Sequence, residues 1–132
     1  MKLITRDTDY ALRALCFIAA RRKEIVSVTE LVSELKIPRP FLRKILQVLN
    51  KKGILKSYKG RGGGFILGVA PDRLFLVDLV KIFQGPLKLN ECIFKKMPCP
   101  RKGTCRLKKK IDRIEKYVLS ELNTVTLRDL LS

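Results

Sequence analysis

Apolar residues set the frame of this chain. Between Thr8 and Ala20 nearly every position is apolar, which predicts a buried helix capped by Asp7 or Thr8. Ser27-Val28-Thr29-Glu30 fits a capping box, with Ser followed three residues later by Glu. Leu31, Val32 and Leu35 then share one face of a short second helix, about Val28–Leu35. Ile37-Pro38-Arg39-Pro40 breaks that helix. Pro40 suits the first turn of a third, where its missing N–H has no helical partner in any case. Phe41, Leu42, Ile45, Val48 and Leu49 hold a 3.6-residue period, read as the inward face, as far as about Lys52, and Gly53 is the expected stop.

After Gly53 the rhythm changes. Ile54 to Lys59 reads as a strand, Gly60-Arg61-Gly62-Gly63-Gly64 as a turn and Phe65-Ile66-Leu67 as a second strand. A short helix over about Val77–Gln84 is closed by Gly85-Pro86. An irregular stretch from Pro86 to Gly103 follows. Leu107, Ile111, Ile114, Val118 and Leu122 trace one stripe of a long helix, roughly Thr104–Leu122. Thr126-Leu127-Arg128-Asp129 is placed to start a last short helix. The expected fold is mainly α with a small β-hairpin wing. The expected divisions are a winged helix-turn-helix unit at 1–85, a cysteine-bearing loop at 86–103 and a helical tail at 104–132.

Composition narrows the function. The chain has 132 residues, 46% of them hydrophobic, enough to bury a core. No run approaches the ~18–20 apolar residues of a membrane span. The opening Met1–Asp7 has no secretory apolar region, so a cytoplasmic protein with no membrane partner is expected. Lys and Arg number 29 against 12 Asp and Glu, a net charge of +17. Such a surplus calls for a polyanionic partner, whether DNA, RNA or an anionic membrane. The absence of histidine removes Ser-His-Asp and Cys-His nucleophiles and the HExxH zinc site. No enzyme is expected.

Two helices joined by a short turn, the second basic, suggest a helix-turn-helix. With its apolar positions inward, the third helix leaves Arg39, Arg43, Lys44, Gln47 and Lys51 outward. Arg reads guanine edges, Gln reads adenine edges and Lys mostly neutralises phosphates. A plain solvated helix face is the competing explanation. Its weight falls because a basic hairpin follows directly, with Lys59 and, at the tip, Arg61, suited to a narrow minor groove. A nucleotide-phosphate loop is disfavoured, since neither Lys-Ser/Thr nor a helix follows these glycines.

Three of the four cysteines, Cys92, Cys99 and Cys105, fall within 14 residues. Pro98, Pro100 and Gly103 lie among them, and Lys95, Lys96, Arg101, Lys102 and Arg106 nearby favour thiolates. Converging thiolates on a loop suit an iron–sulfur cluster. A thiol switch, a zinc site and inert thiols remain alternatives. Cys16 sits among Leu15, Phe17 and Ile18 and reads as a small buried hydrophobe.

These residues resemble the IscR/NsrR/RirA-type family of iron–sulfur winged-helix transcriptional regulators. The resemblance covers nearly the whole chain. It rests on Met1-Lys2-Leu3, on Asp9-Tyr10-Ala11-Leu12-Arg13-Ala14-Leu15, on Gly60-Arg61-Gly62-Gly63-Gly64-Phe65-Ile66-Leu67, and on the cysteine triad ahead of a long C-terminal helix. It implies a homodimer joined through the long helix, two reading helices on pseudo-palindromic promoter DNA, and a 2Fe–2S or 4Fe–4S cluster near the dimer interface. In IscR-like members the fourth ligand is a histidine, at a position that is Lys108 here. In NsrR-like members it is an aspartate near the start of the first helix of the other subunit, which matches Asp9. The same carboxylate also fits a helix's first turn on dipole grounds alone. The function this implies is a repressor sensing oxidants, nitric oxide or iron–sulfur supply. The alternatives are a cluster-free regulator switching through Cys99 and Cys105, and a basic RNA-binding protein.

Overall fold

The computed structural model describes residues 3–21, 24–87 and 106–131. Its elements run α1 (Arg6–Ala20), α2 (Val28–Leu35), α3 (Arg39–Lys51), β1 (Leu55–Tyr58), β2 (Gly64–Leu67), a 3-10 turn (Pro71–Arg73), α4 (Leu76–Gln84), α5 (Arg106–Leu122) and α6 (Leu127–Leu130). Among the described residues the fold is therefore mostly helical with one antiparallel hairpin. Among the described residues, no helix is long and apolar enough to cross a membrane.

The α1 helix begins earlier than its apolar run. Thr5 occupies the N-cap position and makes no capping bond; neither Asp7 nor Thr8 is the cap. Asp7 and Asp9 lie in the first turn, where the helix dipole favours carboxylates. Ala11, Ala14, Leu15 and Ile18 are fully buried and form the spine of the core.

In α2 the Ser27 hydroxyl accepts from the Glu30 N–H at 3.1 Å. Glu30 puts its own carboxylate on Arg21, at 2.8 Å, so half of the expected capping box forms and the other half becomes an ion pair. Lys36 ends the helix in the left-handed conformation, φ 56° and ψ 36°, and turns the chain towards α3.

The inward stripe of α3 is Leu42, Ile45, Leu46 and Leu49, each no more than 3% exposed. This corrects the expected face. Leu46 belongs to the core, and Phe41 is 40% exposed. The spacing i, i+3, i+4, i+7 centred on Leu42 rotates Phe41 to the boundary. There the Arg6 guanidinium covers its ring, 4.4 Å from the centroid.

The hairpin pairs Leu55 with Leu67, Lys56 with Ile66, Ser57 with Phe65 and Tyr58 with Gly64. Phe65 also exchanges both backbone bonds with Val26, at 2.9 and 2.8 Å. The segment leading into α2 thus braces the hairpin. At Gly63 a β-carbon would lie 2.8 Å from the Gly60 carbonyl oxygen, and at Gly64 it would run into the Val26 backbone. Both positions need glycine for lack of space.

The last described segment folds back on the first unit. Leu76 donates its N–H to Val125, and Leu127 to Leu74, at 2.9 and 2.8 Å. Leu127 is buried in the core built on α1. Thr126 and Asp129 form a reciprocal capping box at the start of α6. A smaller cluster joins Val77 and Leu87 to Leu122 at the end of α5.

Candidate nucleic-acid interface

The candidate interface is built on the outward side of α3. With Leu42, Ile45, Leu46 and Leu49 fixed inward, Arg39, Arg43, Lys44, Gln47 and Lys51 all fall on the exposed side. Arg39, Arg43, Gln47 and Lys51 are spaced one turn apart and form a row. Arg39 donates to the Thr29 hydroxyl at 3.2 Å, which ties the start of α3 to α2. Arg43, Lys44 and Lys51 have no ion-pair partner among the described residues.

Lys59 and Arg61, on the turn between β1 and β2, are exposed and equally without an ion-pair partner among the described residues. The turn closes with the Gly63 N–H on the Gly60 carbonyl at 3.0 Å. Gly60 and Gly62, either side of Arg61, take φ of 91° and 75°, a region that side chains disfavour.

The arginines on α1 and at its C-terminal end are neutralised. Arg6 lies 3.5 Å from Asp7, Arg13 2.9 Å from Asp9 and Arg21 2.8 Å from Glu30. The contrast has a simple origin in sequence. Between Glu34 and Asp72 there is no acidic residue and there are nine basic ones: Lys36, Arg39, Arg43, Lys44, Lys51, Lys52, Lys56, Lys59 and Arg61. That stretch holds all of α3 and the hairpin. Three groups escaped the sequence reading. Lys52 follows α3, and Lys56 and Tyr58 are exposed on β1. The acid-free run is the signal that would have found the two lysines. An uncompensated positive strip joined to a Gln that can pair with adenine suits duplex DNA.

The sensing residues are only partly in view. Cys92, Cys99 and Cys105 lie outside the described residues. Asp9 is half-buried, and its carboxylate accepts from the Arg13 Nε at 2.9 Å. Lys108 pairs with Asp112 at 3.3 Å within α5. Among the described residues, no group of three or more Cys, Asp or Glu side chains is gathered closely enough to hold a metal ion. Cys16 is half-buried against the core, and burial pushes its thiol pKa up, in keeping with a packing role.

The apolar stripe of α5 is largely uncovered. Leu107 is 66% exposed, Ile114 51% and, beside them, Tyr117 68%. Among the described residues of α5, only Leu122, in the last turn, is buried.

Comparison with known proteins places this geometry. The family model described as "Rrf2: Iron-dependent Transcriptional regulator" matches residues 4–132. A protein of Aquifex aeolicus described as an HTH-type transcriptional regulator is 32% identical over 133 residues, covering 98% of this chain and 92% of its own. The HTH-type transcriptional regulator NsrR of Bacillus subtilis is 33% identical over 132 residues, covering 98% and 90%. Among solved structures, CymR, described as the global cysteine regulator of B. subtilis, aligns with a TM-score of 0.78 at 26% identity, over 98% of this chain and 96% of that one.

Proposed function

Because the chain belongs to the Rrf2 family, and is a transcriptional regulator and not an enzyme, we propose that it is a cytoplasmic, homodimeric repressor that reads promoter DNA and senses through an iron–sulfur cluster. Residues 1–85 are the reading unit, 86–103 the sensor loop and 104–132 the dimerising segment. Arg39, Arg43, Lys44 and Gln47 enter the major groove, Lys51 neutralises phosphate, and Lys59 and Arg61 serve the minor groove. The observation that carries this reading is the acid-free run from 35 to 71 with its nine cations.

The donor set suits the cluster. It comprises three thiols at Cys92, Cys99 and Cys105 and the first-turn carboxylate of Asp9, in a chain without histidine. When bound, the cluster supplies iron that oxidants or nitric oxide can attack. The chain's own part is to hold α3 and the hairpin at fixed spacing and to carry Asp9 on the helix that packs beneath α3.

Two measurements test this reading. DNA affinity is expected to fall steeply with salt, with a log–log slope of about −6 to −9 for some 6–10 phosphates; a flat response overturns DNA binding. Anaerobically purified protein is expected to be coloured and to contain iron and sulfide, and Asp9→Ala to hold its cluster less well. Colourless protein after reconstitution overturns the cluster. The likeness to CymR, described as a cysteine regulator, favours a second reading in which Cys99 and Cys105 act as a metal-free thiol switch. Iron-free protein whose DNA affinity changes on oxidation supports that one.

A further inference from the structure

A cavity of about 170 Å³ lies between α3, the hairpin and the start of α2, lined by Val28, Arg43, Leu46, Gln47 and Phe65. Its apolar surface comes from Leu46, only 1% exposed, and from the half-buried Val28 and Phe65. Arg43 and Gln47 are exposed and form the rim. Arg43, Leu46 and Gln47 stand at i, i+3 and i+4 on one side of α3, so rim and floor belong to one helical stripe. The opposite wall is held firmly, because Phe65 exchanges both its backbone bonds with Val26, two residues before Val28.

We propose that this cavity receives the C5-methyl group of a thymine whose paired adenine is read by Gln47. The proposal rests on the DNA-reading function above and adds which base pair the site selects. With α3 in the major groove and the hairpin turn in the minor groove, a sugar–phosphate backbone crosses between them, and the major-groove base edges lie beside α3, against the Arg43 and Gln47 rim of the cavity. In the major groove the thymine methyl is the one apolar group that base edges present. The same base pair offers adenine N6 and N7, the donor–acceptor set that a glutamine amide matches. An apolar floor beneath a glutamine rim therefore fits both halves of one A·T pair. Arg43, one turn earlier, is placed for a guanine in the same half-site.

The test uses the full-length protein and duplexes selected by it from a randomised pool. Each thymine of the selected site is then replaced singly by deoxyuridine, which removes only the methyl group. One thymine per half-site is expected to lose about 4-fold in affinity on replacement, the worth of one buried methyl, with the salt slope unchanged. Val28→Ala is expected to shrink that penalty below about twofold, and Gln47→Ala to relax the choice of base at the paired adenine. Uracil tolerated at every position overturns the methyl pocket while leaving DNA binding intact. A uracil penalty that survives Val28→Ala unchanged overturns its assignment to this cavity. If Val28→Ala weakens all duplexes equally and uracil is silent, sugar or phosphate fills the cavity and the proposal fails. Failure to select any duplex, with a flat salt response, overturns DNA reading itself.

Discussion

The Thr8 hydroxyl donates to the Gln84 side-chain carbonyl at 2.7 Å and joins the first turn of α1 to the last turn of α4. The same oxygen accepts from the Thr5 N–H at 2.9 Å, and the Gln84 amide nitrogen donates to the Leu3 carbonyl at 3.0 Å. One amide thus satisfies three partners around a threonine that is 0% exposed. Gln84→Leu leaves the Thr5 N–H without its acceptor and is expected to cost about 1–3 kcal/mol. Gln84→Glu keeps an acceptor there and should cost less. Thermal unfolding at fixed protein concentration measures both; a loss below ~0.5 kcal/mol for the Leu variant shows the clamp to be dispensable.

The hairpin turn separates shape from charge. Gly63→Ala forces the backbone at Gly60 to move, because the new β-carbon would meet main chain and not a side chain. DNA affinity is expected to drop at least about tenfold, with a small loss of stability. Arg61→Ala leaves the turn intact and should lower the salt slope by about one unit. Fluorescence anisotropy over a salt series distinguishes the two, and an unchanged slope for Arg61→Ala takes that side chain off the phosphates.

The uncovered stripe on α5 is expected to be a seam between two copies. Leu107→Glu and Ile114→Glu place a charge in it and should raise the dimer dissociation constant at least about tenfold. Sedimentation velocity gives the answer directly. Variants that keep the wild-type mass at low micromolar concentration remove α5 from the seam.

Cys16 makes a chemical control. Burial raises its thiol pKa above the usual 9.0, so at pH 8 it stays protonated and iodoacetamide should label it slowly by mass spectrometry. The sign for stability follows. The folded state prefers the neutral thiol, so its contribution is whole below pH 9.0 and is lost as pH rises through the elevated value. Cys16→Ala should leave any cluster absorbance unchanged; lost colour makes it a ligand or a support of the site.

Local chemistry was the legible part of this fold. Ser27 announced α2, Pro38 and Pro40 framed the start of α3, and the glycines from 60 to 64 announced the hairpin. Misreadings arose where distant parts of the chain decide. The misplacing of Phe41 and Leu46 was different in kind, because the i, i+3, i+4, i+7 spacing of Leu42, Ile45, Leu46 and Leu49 already marks the buried stripe. The Thr5 start of α1 is fixed through Gln84, 79 residues away. The pairing of Val26 with Phe65 and the return of Leu127 to the core are long-range backbone matches with no signature in either segment. The outward placement of Arg39, Arg43, Lys44, Gln47 and Lys51 was legible because helical period alone sorts a single helix into two sides.

A stretch of chain with nine cations and no counter-charge of its own has no built-in off position. On the proposed DNA-reading function, every segment of chromosome would be a passable landing place. A regulator gripping DNA through such a strip would spend its time sliding, and would stop according to a handful of base-edge groups. Its release would then have to come from a change in where one strip stands relative to another, since the strip itself would stay adhesive.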